Sequence, residues 1–271
     1  MTVPKKKLND GTEIPMLGFG TWQIEGEKCT EAVKTAIKVG YRHIDTAFAY
    51  YNESFVGPGL KDIARDELFV TTKLWREFHD PKRVEEACDK SLKDLGLDHL
   101  DLYLIHWPER KNSFPEMVHE MHKLKEKGKI RSVGLCNSTI HHIQDLYNQK
   151  LEIAVNQIEF HPFLVQSELL KFCLTHNIAV TAYSPLARGE ALQNELLKEI
   201  GQKYGKSPGQ VSLKWLMQKD IIVIPKASSE PHMRENFEIF DFKLTEEEIT
   251  KIDGLNENKR LIVPDFQEFD Y

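Results

Sequence analysis

One rhythm restricts this chain more than any other feature: a short apolar run, a polar loop, then a longer segment with helical spacing, repeated eight times. The apolar runs fall at residues 16–19, 43–45, 68–72, 100–105, 132–135, 155–158, 179–183 and 221–224. Uninterrupted apolar strands that alternate with helices imply a parallel sheet covered by those helices. The segments between the runs suit helices. Ala32, Val33, Ala36 and Ile37 form one apolar stripe within 30–39, and the segment 81–95 stops at Gly96. Ser207-Pro208 reads as an N-cap followed by proline in the first helical turn. Pro58-Gly59 falls where the second helix belongs, so that helix is expected to be brief or kinked.

Eight such units within 271 residues suit a closed barrel, with a doubly wound open sheet as the competing arrangement. An open dinucleotide-binding sheet carries Gly-x-Gly-x-x-Gly between its first strand and helix. Here the segment reads Gly18-Phe19-Gly20-Thr21-Trp22-Gln23, without the third glycine. The expected fold is therefore of the α/β class: a (β/α)8 TIM barrel, residues 1–271 forming one domain. A small N-terminal β-hairpin should precede it, turning at Asn9-Asp10-Gly11.

Composition narrows the function by exclusion. Acidic residues outnumber basic ones, 42 to 36, and the two signs are interleaved, which argues against nucleic acid as a partner. The run Lys5-Lys6-Lys7 reads as a solvated strand edge. No stretch approaches the roughly 18 to 20 apolar residues of a membrane span, and the N-terminus has no apolar signal region. A cytoplasmic protein with no membrane partner is expected. Cys29, Cys88, Cys136 and Cys173 stand far apart, so neither a disulfide framework nor a zinc site is indicated, and no metal is expected.

In such barrels the chemistry gathers where the strands end. The second run ends in Asp45, with Tyr50 five residues on; the third is followed by Lys73, and the fourth by His106. The steps between Asp45, Lys73 and His106 each approximate one strand-helix unit, so neighbouring strands would bring these groups to one rim. Singly, each has an ordinary explanation: a solvated lysine, a structural histidine, a capping aspartate, a packed tyrosine. Together they suit carbonyl reduction, which adds a hydride to carbon and a proton to oxygen. Lys73 would lower the pKa of Tyr50, Asp45 would hold the lysine charged and aimed, and His106 would polarise the carbonyl oxygen. A metal-dependent hydrolase would have to draw on His106, His141, His142 and His161. Adjacent His141 and His142 point apart on a helix, which disfavours it.

The segment from Gly40 through Asp45-Thr46-Ala47 to Tyr50 and Asn52-Glu53 resembles the signature of the aldo-keto reductases. Thr71-Thr72-Lys73-Leu74-Trp75 and Leu104-Ile105-His106-Trp107-Pro108 are similar to the family's lysine and histidine motifs, and the likeness covers nearly the whole chain. It selects Tyr50 over the adjacent Tyr51 as proton donor, with Asp45, Lys73 and His106 as the other catalytic groups. It also implies a cofactor groove. Gly20, Thr21 and Trp22 would lie beside the nicotinamide, Asn137 and Gln157 would hold its carboxamide, and Tyr183 would stack on the ring. Ser184 and Leu186 would follow the pyrophosphate. Lys226, Ser228, Ser229, His232, Glu235 and Asn236 would hold the adenosine 2′-phosphate and adenine. Two departures stand out: Cys136 replaces the family's usual serine, and His232 takes the place of a common arginine, with Arg234 two residues on. The resemblance implies NADPH as cofactor, with NADH a weaker alternative.

Trp22, Trp75 and Trp107 follow strand ends and would form an aromatic mouth with His106, closed on its other side by the tail from Leu261 through Phe266, Phe269 and Tyr271. Short loops and a short tail resemble the bacterial diketogluconate and methylglyoxal reductases within the family. Small aldehydes, ketones or dicarbonyls are the expected substrates, and a monomer the expected state. The competing function is a barrel that binds a nicotinamide cofactor without turnover, as a regulatory or redox-sensing subunit.

Overall fold

A computed structural model describes residues 3–271. The hairpin pairs β1 (Lys5–Lys7) with β2 (Glu13–Pro15), antiparallel, around the turn anticipated at residues 9–11. Its apolar side chains Leu8, Ile14 and Met16 join Phe69, Leu102, Leu104, Val155, Ala179 and Ile222 in one cluster, so the hairpin packs against inward-facing strand residues. Lys6 pairs with Asp220 instead of standing free.

Eight parallel strands follow: β3 (Phe19–Gly20), β4 (His43–Asp45), β5 (Phe69–Leu74), β6 (Leu100–Ile105), β7 (Ile130–Cys136), β8 (Val155–Glu159), β9 (Ala179–Tyr183) and β10 (Ile222–Val223). They pair in chain order, and the two ends of the sheet meet: Gly18 N donates to Val223 O at 2.8 Å and Val223 N to Met16 O at 2.9 Å. Gly18 and Gly20 serve this packing. A Cβ at Gly18 would lie 2.6 Å from His43 Nδ1, and one at Gly20 would lie 2.8 Å from Ile224 O.

The outer layer comprises α1 (Glu27–Val39), α2 (Glu53–Gly59), α3 (Val84–Leu95), α4 (Phe114–Glu126), α5 (Ile140–Asn148), α6 (Ser167–Thr175), α7 (Glu195–Tyr204), α8 (Pro208–Gln218), α9 (Glu230–Phe237) and α10 (Glu246–Asp253). The Ser207 hydroxyl and Gln210 side chain cap α8 reciprocally, and α3 ends at Gly96 with φ 65°. None of the helices among the described residues is long and apolar enough to cross a membrane.

The brief second helix has a packing reason. A Cβ at Gly57 would approach Leu95 O to 2.5 Å, and one at Gly59 would approach the Val33 Cβ to 2.7 Å. Bare backbone lets α2 lie tight against α1 and the end of α3, and Pro58 falls in its last turn.

Glu53, at the head of α2, is 4% exposed and takes hydrogen bonds from the hydroxyls of Thr72 (2.6 Å) and Ser91 (3.2 Å). Burial pushes its carboxyl up to about 7, against the pull of those hydroxyls. Below the ordinary value of 4.5 the carboxyl is protonated in both folded and unfolded chains; from there towards about 7 only the unfolded chain loses its proton. Folding should therefore weaken over that window by up to about 3 kcal/mol and stay level above it. Glu53→Gln keeps an acceptor and a donor for the two hydroxyls, so denaturation at acid and mildly alkaline pH should show much of this pH dependence gone. Identical pH profiles for the two proteins would refute the assignment.

Candidate active site

Side chains on a strand alternate between faces, and this positions the site. Along β5, Val70 and Leu74 pack outward in the main core, whereas Phe69 faces inward with the hairpin cluster; Lys73 shares the parity of Phe69. The same alternation along β6, with Leu102 and Leu104 inward, carries His106 to the inner face, and Asp45 ends β4.

Lys73, fully buried, donates from Nζ to Asp45 Oδ1 at 2.6 Å, to Thr46 O at 2.8 Å and to the Tyr50 hydroxyl at 3.4 Å. Burial disfavours the ammonium, but the groups around it, Asp45 foremost and then Tyr50 and Cys136, together outweigh burial, and the pKa of Lys73 rises above its ordinary value. Tyr50 ends a single 3-10 turn, Phe48–Tyr50, and Tyr51 follows with φ 53°. That backbone sends the two tyrosines apart: Tyr50 reaches Lys73, while Tyr51 is 76% exposed at the mouth.

The phenol departs from the expectation of a lowered pKa. Burial pushes Tyr50 up to about 12, more than Lys73 pulls it down. His106 is buried, meets the Tyr50 ring edge at 5.8 Å between centroids, and leaves Nδ1 without a partner. Burial, then the nearby Lys73 charge, hold its pKa well below the usual imidazole value, so it is neutral.

Gln157 has a partner within the protein as well. Its Nε2 donates to Asp45 Oδ2 at 2.7 Å, so Asp45 is held on one oxygen by lysine and on the other by amide. Asn137, at φ 60°, donates to His106 O at 3.0 Å and to Cys136 Sγ at 3.2 Å, and accepts from the Tyr183 hydroxyl at 2.7 Å.

Asp45, Tyr50, His106, Asn137, Gln157 and Tyr183 line one cavity of about 910 Å³, and Lys73 lies buried behind them. Its walls include Gly20, Thr21, Trp22, Ser184 and Leu186, and it extends to Lys226, Ser228, His232, Glu235 and Asn236. Ser229 lies outside its lining, at the N-cap of α9, and Arg234 is tied to Glu230 at 2.6 Å, one helical turn away. Trp22, Trp75 and Trp107 also face the cavity, as does Phe266 of the tail. Phe266 packs edge-on against Trp75 and Trp107, and Arg76 stacks on it at 3.7 Å. Phe269 contacts Trp107, and Tyr271 instead reaches Asp145 on α5.

Sequence reasoning missed several contributors. Arg188, with φ 52°, lies over Trp22 at 4.9 Å, and Gly189 and Leu192 continue that wall. Fully buried Glu159 pins the tail by accepting from Leu261 N (2.7 Å) and Ile262 N (3.0 Å), and contacts His161 at 3.0 Å. Among the described residues, no three His, Cys, Asp or Glu side chains gather into a group that could hold a metal.

The sequence model described as "Aldo/keto reductase family" matches residues 16–257. The chain belongs to the aldo/keto reductase family. This reductase is 45% identical over 259 residues to a protein named glyoxal reductase from Bacillus subtilis, covering 94% of each chain. It is likewise 45% identical over 264 residues to a methylglyoxal reductase of Yersinia pestis, covering 95% of each. Among solved structures, an aldo-keto reductase from a Medee basin deep-sea metagenome library superposes with TM-score 0.93 at 40% identity, over 98% of this chain and all of that one. A Bombyx mori aldo-keto reductase in complex with NADP superposes with TM-score 0.91 at 36% identity, over 97% of this chain and 96% of that one. The aldo/keto reductase is thus an oxidoreductase of carbonyl compounds that works with a nicotinamide cofactor, and a barrel without turnover is not favoured.

Proposed function

We propose that this enzyme uses NADPH to reduce small aldehydes, ketones and dicarbonyls to alcohols, with Tyr50 giving the proton to the carbonyl oxygen and residues 1–271 working as one monomeric barrel domain. The observation that carries this reading is the buried chain from Asp45 through Lys73 to the Tyr50 hydroxyl, beside neutral His106 in one cavity.

Bound NADPH supplies the hydride. Everything else is work for the protein. A phenol held near a pKa of about 12 keeps its proton at neutral pH, as a donor must. As that proton leaves, Lys73 at 3.4 Å stabilises the phenolate, and Asp45 keeps the ammonium charged and aimed. Neutral His106 can still donate to the carbonyl oxygen from one ring nitrogen. Tyr183, Asn137, Thr21 and Ser184 suit the nicotinamide end and the path from it, although Gln157 meets Asp45 first. Lys226, Ser228, His232, Glu235 and Asn236 suit the adenosine phosphate end, with Ser229 beside them at the N-cap of α9.

The mouth of Trp22, Trp75, Trp107 and Phe266 favours compact, weakly polar carbonyls, in keeping with relatives named for glyoxal and methylglyoxal. Loss of NADPH absorbance with methylglyoxal tests the reaction. NADPH should outperform NADH, and Lys226→Ala should narrow that preference by about ten-fold or more, as befits a charged hydrogen bond worth about 1.5–3 kcal/mol. Equal efficiency with both cofactors in the wild type would overturn the preference. Tight NADPH binding without turnover of any small carbonyl would return the cofactor-sensing subunit.

A further inference from the structure

Asn52 lies outside the four catalytic groups and is 1% exposed, yet it binds together the two loops that present Tyr50 and Trp22. Its Oδ1 accepts from Thr46 Oγ1 at 2.9 Å, and its Nδ2 donates to Thr21 O at 2.9 Å and Ile24 O at 3.0 Å. Two backbone carbonyls can only accept, so the amide has one orientation that satisfies every partner.

Each of those partners leads to the catalytic centre. Thr46 offers its carbonyl to Lys73, and its N–H donates to Thr71 O at 2.9 Å. Thr21 donates to Asp45 O from its N–H at 3.0 Å and its hydroxyl at 3.1 Å. A closed ring therefore runs from Asn52 through Thr21, Asp45 and Thr46 back to Asn52. Tyr50 stands inside the segment that the Thr46–Asn52 bond clasps shut. Thr21 and Ile24 are the two ends of the turn bearing Trp22, closed by Ile24 N donating to Thr21 O at 3.1 Å.

We propose that Asn52 is a positioning residue, whose clasp sets the Tyr50 hydroxyl against Lys73 and the substrate oxygen. This rests on Tyr50 being the proton donor. Misplacement of a reacting group by about 1 Å can cost on the order of a hundred-fold in rate, and one lost clasp bond would allow part of such a shift.

Thr46→Val removes the clasp hydroxyl at nearly constant volume, Thr46→Ser retains it, and Asn52→Ala opens the whole ring. With methylglyoxal or the small carbonyl turned over best, Thr46→Val should lower kcat about ten-fold while substrate KM and NADPH affinity by protein fluorescence hold within about two-fold; Asn52→Ala, which also frees the Trp22 turn, should lower kcat further. The solvent deuterium isotope effect on kcat should rise in both, because proton transfer from a displaced Tyr50 becomes slower. Thr46→Ser should restore both quantities.

A fall in kcat and Tm with an unchanged isotope effect would make Asn52 structural only and overturn the inference. Tyr50→Phe is measured alongside. If that variant turns over like wild type, the proton-donor reading falls and takes this one with it. If it collapses while Thr46→Val keeps wild-type kcat and isotope effect, the Asn52 inference alone is lost.

Discussion

Tyr50→Phe should reduce kcat/KM for methylglyoxal with NADPH by about 10²- to 10⁴-fold, the span associated with loss of a positioned general acid. The substitution removes one oxygen and leaves the ring. Lys73 stays over that ring at 5.0 Å, and the edge contact with His106 persists, so the fold and NADPH affinity should hold. Tyr51→Phe, one residue on, should stay within about two-fold of wild type, because Tyr51 faces water and has no part in the lysine chain. With Tyr50 at about 12, its phenol remains protonated throughout the neutral range. Loss of its proton should therefore not limit reduction until strongly alkaline pH. A Tyr50→Phe enzyme with near-normal turnover, or a Tyr51→Phe enzyme that collapses, would reassign the donor.

The barrel was legible because period-2 and helical spacing are local signals. Phe69, Thr71 and Lys73 share one face of a strand whatever happens elsewhere, and the same alternation aims His106 inward. The apolar runs therefore gave the eight strands in order, and the groups at their ends gave the catalytic cluster. The parts that stayed hidden depend on partners distant along the chain. Glu159 matters through the N–H groups of Leu261 and Ile262, about a hundred residues away, and no local pattern announces that pairing. Asn52 acts through the two carbonyls of the Thr21–Ile24 turn and the Thr46 hydroxyl, and that turn, about thirty residues away along the chain, becomes its partner only once the strands are assembled. Gln157 lines the cavity, but the sequence could not say that Asp45 already engages its amide. Arg234 illustrates the reverse: its pairing with Glu230, four positions back on α9, follows from helical spacing alone.

The second large effect concerns the Asp45–Lys73 pair, in which the side chains are 2% and 0% exposed. Asp45→Asn keeps the shape and leaves a buried ammonium without a countercharge, which should cost about 3–5 kcal/mol of stability. Lys73→Met creates the opposite defect, a buried carboxylate held only by Gln157, and should cost a similar amount. The double variant has neither charge, so it should recover much of that loss, giving a strong coupling in the double-mutant cycle. Activity should not follow stability. All three variants lack a charged, aimed lysine beside the Tyr50 hydroxyl, and each should remain at least about a hundred-fold below wild type in kcat. Denaturation and turnover measured on the same preparations separate the two consequences. If the double variant regains turnover as it regains stability, the pair is only a piece of the barrel's interior. If it regains stability alone, the buried charge is kept for the chemistry at Tyr50.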